Sequence, residues 1–409
     1  MHTVKRTIKI PDHVRLERYR KAPDLGPNVL FFTGGTAIHQ FCRRLKNYTH
    51  NSTHLMTPFD SGGSSAELRK AFSMPAIGDL RARLMALADE GTKGMPEVYE
   101  LFIYRLSKKA YQAELQQELD ALIQGRHPLI AAVSEPMRQL IQQQLASFGK
   151  HKPDNFDLRG ASIGNLILTG GYLNSDRQID PIVYLFSKLV AVRGSVALTV
   201  EDNHHLVAEL ENGDTLIGQH LITGKEHPPI NSPINNITLS HALNERHEVK
   251  STISQDIQSK IEQAELICFP PGSFYSSLLA NLMPTGVCDA IAVNGNPKVY
   301  VPNLGKDPES IGLTTEQSIN KLLEFLNQNR SGRDAKSSPY NGMLTHVLLD
   351  QHDEYYTGNI STEKWQQSGI QIIRADLVSE EHLPSPSSNK HVPEKYDPEK
   401  LTQTLLSLV

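Results

Sequence analysis

The chain has 409 residues, 39% of them hydrophobic, with 41 basic and 45 acidic side chains and a formal charge of −4. That apolar content supports a sizeable core and excludes a largely disordered chain. The small negative balance argues against general attraction to nucleic acid or anionic lipid, and no apolar run is long enough to span a bilayer.

The N-terminal stretch Met1–Ile10 lacks the apolar core of a signal peptide, so a cytoplasmic protein is expected. Val29-Leu-Phe-Phe32 reads as a buried strand that breaks into Thr33-Gly-Gly-Thr36 and then a helix over Ala37–Lys46, with Ile38, Phe41, Cys42 and Leu45 at helical spacing. Leu55–Pro58 reads as a second strand, followed by the compact turn Thr57–Arg69 and a helix over Ala76–Ala88. From Met95 to Lys150 the pattern is helical, with Leu115, Leu119 and Leu122 on one stripe and Met137, Leu140, Ile141, Leu145 and Phe148 on another. We expect an α-helical insertion over residues 91–157, its stripes being packing surfaces.

Alternation in Ser195–Val200 and Leu206–Leu210, the turn Glu211-Asn-Gly-Asp214 and Thr215–Gly218 predict a small antiparallel β flap over residues 190–235. Ala264–Phe269 is a third strand feeding a loop, Pro270–Tyr275, and then a helix. Ala290–Val293 and Lys298–Val301 read as short strands, Met343–Leu349 and Gly369–Arg374 as peripheral ones. A flexible Ser/Pro/charged segment at 379–396 precedes a final helix. The whole reads as one α/β domain over residues 1–409, with a largely parallel sheet whose ligands gather at the strand C-termini.

Cys42, Cys268 and Cys288 are widely spaced, with no Cys-x-x-Cys pair, so inert thiols are expected rather than disulfides or a zinc knuckle. His204 and His205 would face opposite sides of a strand, and His241 and His247 do not share a helical face, which argues against zinc. No Gly-x-Ser-x-Gly elbow supports covalent hydrolysis.

The chemistry concentrates in the loops. Gly34-Gly35 and Gly62-Gly63 let backbone amides approach oxygen atoms, helices starting just beyond add positive partial charge, and Thr36, Ser64 and Ser65 add hydroxyl donors. Neither loop is a Walker or dinucleotide fingerprint. Pro271-Gly272-Ser273 repeats the same junction, and together the three suggest a phosphate-bearing ligand. Asp60 and Asp79 are the candidate carboxylates for a phosphate-bridged Mg²⁺, with turn and helix capping as their alternative roles. Arg69, Arg81 and Arg83 are candidate phosphate partners, Arg69 foremost, although a solvated helix face is the usual explanation. Asn165 and Asn303 are placed to read a base or sugar hydroxyl, with turn stabilisation as the alternative.

Taken together, Thr33-Gly-Gly-Thr36, Asp60-Ser-Gly-Gly-Ser-Ser65, Gly78-Asp-Leu-Arg81, Ile163-Gly-Asn165 and Pro271–Ser277 resemble the CofD-like superfamily. That group contains 2-phospho-L-lactate transferases and YvcK-type gluconeogenesis factors, and the chain looks nearest to the CofD-related proteins of the GAK gene set. The resemblance extends through Leu206–Gly213 and Lys298–Asn303 to Asp397–Leu401. It implies a Rossmann-like three-layer α/β/α fold, a GDP- or UDP-type nucleotide-linked ligand and a homodimer. In the transferase branch it implies Mg²⁺-assisted attack of a hydroxyl on a phospholactyl phosphorus, with a nucleoside monophosphate leaving. In the YvcK branch it implies a nucleotide-sugar-binding regulator without chemistry. Where YvcK relatives have paired aspartates this chain has Asp60-Ser61, and Ala37 and Pro270 stand where they have glycine. The expectation is a nucleotide-diphosphate site in which Asp60 and Asp79 are catalytic and hold Mg²⁺. Gly34, Gly35, Thr36, Gly62, Gly63, Ser64, Ser65, Arg69, Gly272, Ser273 and Tyr275 hold phosphate, with Asn165 and Asn303 near the sugar or base. Transfer of the phosphorus-linked group is the leading activity, a non-enzymatic nucleotide-sugar sensor the alternative, and a scaffold with a degenerate site a third.

Overall fold

Val29-Leu-Phe-Phe-Thr33 shows no alternation because the strand it forms is covered on both faces, each residue being at most 2% exposed. The computed structural model describes residues 7–35, 37–89, 95–224, 227–331, 342–382 and 392–409. In chain order β1 (Val29–Thr33), β2 (Ser52–Met56) and β3 (Ser195–Leu198) come first. A separate group follows, β4 (His205–Leu210), β5 (Thr215–Ile217), β6 (Ile234–Ser240) and β7 (Glu248–Val249). The last strands are β8 (Leu266–Phe269), β9 (Lys298–Tyr300), β10 (His346–Asp350) and β11 (Gln371–Ala375).

Seven strands make one sheet in the order β11-β10-β9-β8-β1-β2-β3, and every pairing in it is parallel. Helices cover both faces, so the layered α/β architecture is as expected. The order runs down to β8 and then jumps to β1, which is a topological switch point of the kind that opens a crevice at the carboxyl ends of the strands. Across it Phe32 of β1 stacks on Phe269 of β8 at 5.8 Å.

The insertion is helical over Pro96–Ile103, Gln112–Ile123, Pro128–Ala131 and Met137–His151, while 90–94 lie outside the described residues. Leu115, Leu119, Leu122, Ile141, Leu145 and Phe148 are all fully buried, as their spacing predicts. Phe148 meets Phe72 edge-on at 5.8 Å, which ties the insertion to the helix Gly63–Phe72.

Three elements differ from the sequence reading. Ser195–Leu198 belongs to the parallel sheet, pairing with β2, because an edge strand alternates as an antiparallel ribbon does. The flap sheet, order β5-β4-β6-β7, therefore runs from His205 to Val249. Ala290–Val293 is the end of a helix, Val287–Val293, in which Val287, Cys288 and Ile291 are buried and Val293 is 72% exposed. A four-residue apolar run does not separate a strand from a buried helical turn. Finally, Thr57–Arg69 is not one turn: its second half is the helix Gly63–Phe72.

Of the segment expected to be flexible at 379–396, residues 383–391 lie outside the described residues. Beyond it Tyr396 is buried, its hydroxyl donating to Pro302 O at 2.6 Å, and Asp397 caps the helix Pro398–Leu406. All three cysteines are free and buried. No helix among the described residues is long and apolar enough to cross a membrane.

Phe32→Ala should cost about 3–5 kcal/mol, since it empties a fully packed stack at the switch point. Denaturant unfolding monitored by circular dichroism checks it, and a loss under about 1 kcal/mol would contradict the packing described.

Candidate functional site

The loops that follow β1, β2 and β8 open into one cavity of about 750 Å³, whose lining includes Gly34, Gly35, Asp60, Gly62, Gly63, Ser64, Ser65, Asp79, Gly272 and Ser273. Three glycine turns distant in the chain thus share a cleft. Thr36 lies outside the described residues.

Two buried cations hold the first two turns. Arg83, 1% exposed, donates to the carbonyls of Gly34 and Gly35 at 3.2 and 3.1 Å and to Cys42 Sγ at 2.7 Å. Arg69, 4% exposed, donates to the carbonyls of Phe59 and Asp60 at 3.2 and 3.1 Å, to Asn203 Oδ1 and to His204 O. In a trans peptide the carbonyl and the following N–H point oppositely, so the amides of Gly35, Asp60 and Ser61 point away from these guanidiniums. Arg69, expected to contact phosphate, instead donates to three backbone carbonyls and to Asn203 Oδ1 and does not line the cavity. Burial lowers its pKa to about 10, which still leaves it charged at neutral pH.

Gly34 is required sterically, since a Cβ there would collide with Ser277 Oγ and Cβ. Gly63 takes φ 49°, the left-handed turn that starts its helix.

The acidic corner forms where the β1 and β2 loops meet. Asp79 Oδ1 lies 3.1 Å from where a Gly35 Cβ would stand, and Asp60 Oδ2 lies 3.8 Å from the corresponding point on Gly78. Asp60 also accepts the Gly62 amide at 3.1 Å, so the capping role foreseen for it is present. Asn165 Nδ2 donates to Ser64 Oγ at 3.2 Å. Ser61 pairs with His220 Nδ1 at 2.7 Å and accepts the His220 amide at 3.1 Å, so the flap helix Gln219–Ile222 is latched to the β2 loop. Two carboxylates beside serine hydroxyls suit Mg²⁺, which keeps waters and phosphate oxygens in its shell; among the described residues no group of three or more metal-ligating side chains offers a closed cage.

At the third loop the amides are already engaged. Asp307 accepts the Phe274 N–H at 2.9 Å, and Glu309 accepts those of Tyr275 and Ser276 at 3.2 and 2.8 Å. Asn303 grips the loop on both sides, its Oδ1 accepting Gly272 N–H at 2.7 Å and its Nδ2 donating to Gly272 O at 2.6 Å. Asn303 is thus a loop brace away from the cavity lining. Tyr275 is likewise corrected: it is 1% exposed and its hydroxyl donates to Ile234 O of the flap. Pro270, Pro271, Gly272, Ser273, Ser277 and Leu278 of this junction line the cavity.

The cavity also carries cations, of which Arg81 alone was foreseen. Arg81, Arg105, Lys108 and Arg159 line it, with Ser162 and Asn165 beside them. Arg105 reaches this place through a bridge to Ser162, Leu106 N–H donating to Ala161 O at 2.9 Å. The nearest signal in the sequence is the run Arg105, Lys108, Lys109 between two helices of the insertion. Nothing local ties that run to the glycine loops.

Residues 29–381 match the family described as 2-phospho-L-lactate transferase CofD. The chain belongs to the CofD family. Relatives of this CofD-family chain include a "Putative gluconeogenesis factor" of Thermoanaerobacterium thermosulfurigenes, 28% identical over 94% of this chain and 97% of that one. The Gluconeogenesis factor of Bacillus subtilis is 27% identical over 73% of this chain and 75% of its own length. A UPF0052-family protein of Bacillus halodurans has the same fold, with TM-score 0.65 and 21% identity over 93% of this chain and 99% of that one.

Gly34→Ala should lower the melting temperature and Gly34→Ala/Ser277→Gly should restore part of it, read by thermal unfolding. Equal behaviour of the single and double variants would contradict the steric account. Glu309 supplies a pH test. Burial, then the charge of Asp307, pushes its carboxyl up to about 7. A carboxyl raised in the fold contributes stability that is full below the ordinary glutamate range and is lost as pH rises through about 7. Glu309→Gln should remove that decline, so the melting temperature of the parent relative to the variant falls between about pH 5 and about pH 8. Parallel curves would remove Glu309 as its source.

Proposed function

We propose that this CofD-family chain binds a GDP- or UDP-type nucleotide-linked diphosphate across the Gly34–Gly35, Asp60–Ser65 and Gly272–Ser273 turns, and transfers a phosphorus-linked group from it. The observation that carries the proposal is the meeting of these three turns at the sheet's switch point, with Asp60 and Asp79 at one corner. Loop amides and the hydroxyls of Ser64, Ser65 and Ser273 hold the diphosphate. Asp60 and Asp79 would hold a Mg²⁺, which would supply charge neutralisation at the phosphate oxygens. Asn165 orients Ser64 beside them. The assembly proposed is a homodimer, which light scattering reads directly.

A regulatory reading has its own support. Ser61 occupies the position beside Asp60 and is engaged by His220, so ligand entry is coupled to the flap rather than to a second adjacent carboxylate. The relatives named gluconeogenesis factors favour it too.

A thermal-shift titration with GDP, UDP and UDP-sugars, with and without Mg²⁺, tests the binding. Ligand at one hundred times its Kd stabilises by about 2.7 kcal/mol. Asp60→Asn should lose the Mg²⁺-dependent part of that shift and keep the remainder; a variant responding to Mg²⁺ as the parent does removes Asp60 from its role. Release of nucleoside monophosphate on addition of an acceptor marks transfer, and tight binding without release marks the regulator. No shift with any nucleotide overturns both.

A further inference from the structure

Outside the cleft, and independently of what the cleft binds, we infer a second ligand site. The groove between the open edge of β6 and the helix Thr315–Gln328 takes a small organic anion, a phosphate or carboxylate head on an apolar body.

The groove follows from the topology of the flap. β7 pairs with β6 only at Leu239 and Ser240, so from Asn235 to Thr238 the edge of β6 away from β4 has no strand beside it among the described residues. The helix Thr315–Gln328 comes to that edge instead, Lys321 Nζ donating to Asn235 O at 3.1 Å. Lys321, Phe325 and Gln328 recur at i, i+4 and i+7, share one helix face and line a cavity of about 430 Å³. That volume is in the range of small-molecule sites, and the cavity shares no lining residue with the cleft.

Its polar chemistry calls for an anion. Thr238 Oγ1, Ser251 Oγ and Arg330 Nε are buried in this lining without a hydrogen-bond partner among the described residues. Ser251 is 3% exposed, and its backbone is pinned by Thr285 N–H donating to Ser251 O at 2.8 Å, so the hydroxyl is held at the groove. Buried polar atoms are normally paired, and three left open around one cavity mark the place of a partner. Two hydroxyls and a guanidinium N–H can all donate to an oxyanion. The charge agrees, since Lys250, Lys321 and Arg330 share the lining and none has a carboxylate within ion-pair distance among the described residues. Glu248, the one acidic side chain there, already lies 3.5 Å from Arg246.

The rest of the lining calls for an apolar body. Tyr275, Leu279, Met283 and Phe325 supply it, and Met283 and Phe325 are only half-buried, so a ligand that covers them gains by removing apolar surface from water. One helix, Phe274–Leu279, serves both cavities, lining the cleft with Ser277 and Leu278 and the groove with Tyr275 and Leu279. Tyr275 joins it to β6 through its hydroxyl, which donates to Ile234 O at 3.1 Å.

NMR of methyl-labelled methionine locates binding, because Met283 lines the groove and Met283→Leu assigns its resonance. Phenyl phosphate, which joins a charged head to a ring, should shift the Met283 methyl saturably. Phenol and inorganic phosphate, each one half of that probe, should bind at least about tenfold more weakly. Benzoate beside phenyl phosphate tells which head is taken. Lys321→Gln and Arg330→Gln should each weaken the preferred probe about tenfold, while Arg105→Gln in the cleft should leave the Met283 titration unchanged. Lys250 is exposed, so Lys250→Gln repeats the test in a variant that keeps the fold. The inference is overturned if Met283 responds to neither phenyl phosphate nor benzoate, if phenol or inorganic phosphate binds as tightly as the joined probe, or if the three groove variants titrate as the parent does.

Discussion

Two arginines with almost no contact to water hold the cleft in shape. Arg83 and Arg69 each gather consecutive backbone carbonyls from a glycine-containing turn, an interaction strong because the donor is charged and the surroundings are dry. A carbonyl so held cannot swing toward the cavity, and its peptide partner N–H cannot swing away. The turns are thereby set before any ligand arrives, which is what an anion site built from backbone amides needs. The same arrangement explains why a glycine at position 34 must face Ser277 closely: a loop drawn inward by a guanidinium has no room for a side chain.

The third turn is held by the opposite charge. Asp307 and Glu309 take the amides at the head of the helix that begins at Phe274, so the positive end of this helix is neutralised inside the protein. A junction that looks equivalent to the other two is a different device. It presents Gly272 and Ser273 as a rigid edge braced by Asn303, while the charge-bearing work falls on the β1 and β2 turns. The insertion adds the cations Arg105 and Lys108 to the same lining. The lining of the cleft thus carries both signs of charge, Asp60, Glu67, Asp79 and Asp157 together with Arg81, Arg105, Lys108 and Arg159.

Much of the fold was legible because the physics behind it is local. An unbroken apolar run such as Val29–Phe32 announces a strand covered on both faces, and the stripes at Leu115–Leu122 and Ile141–Phe148 announce helices with one buried side. The failures were local ambiguities: Ser195–Leu198 has the alternation of a flap but the neighbours of an edge strand, and Ala290–Val293 is too short for its periodicity to decide. Within the site, the residues foreseen at the turns themselves, Gly34, Gly35, Gly62, Gly63 and Gly272 with Asp60 and Asp79, do share one cavity. Arg69, Tyr275 and Asn303 were close in sequence to the right place yet face elsewhere, because which way a side chain turns depends on what packs behind it.

By itself the sequence determined the elements, the turns that interrupt them and the chemistry those turns carry, since each depends on residues a few positions apart. Tertiary structure alone decided that Arg69 and Arg83, candidate phosphate partners in the sequence, are interior clamps, that Glu309 reaches back to cap Tyr275 and Ser276, and that Arg105 shares a cavity with Gly63. Those are contacts between segments distant in the chain, and their energies depend on burial and on direction, quantities that exist only once the sheet order and the helix packing are in place.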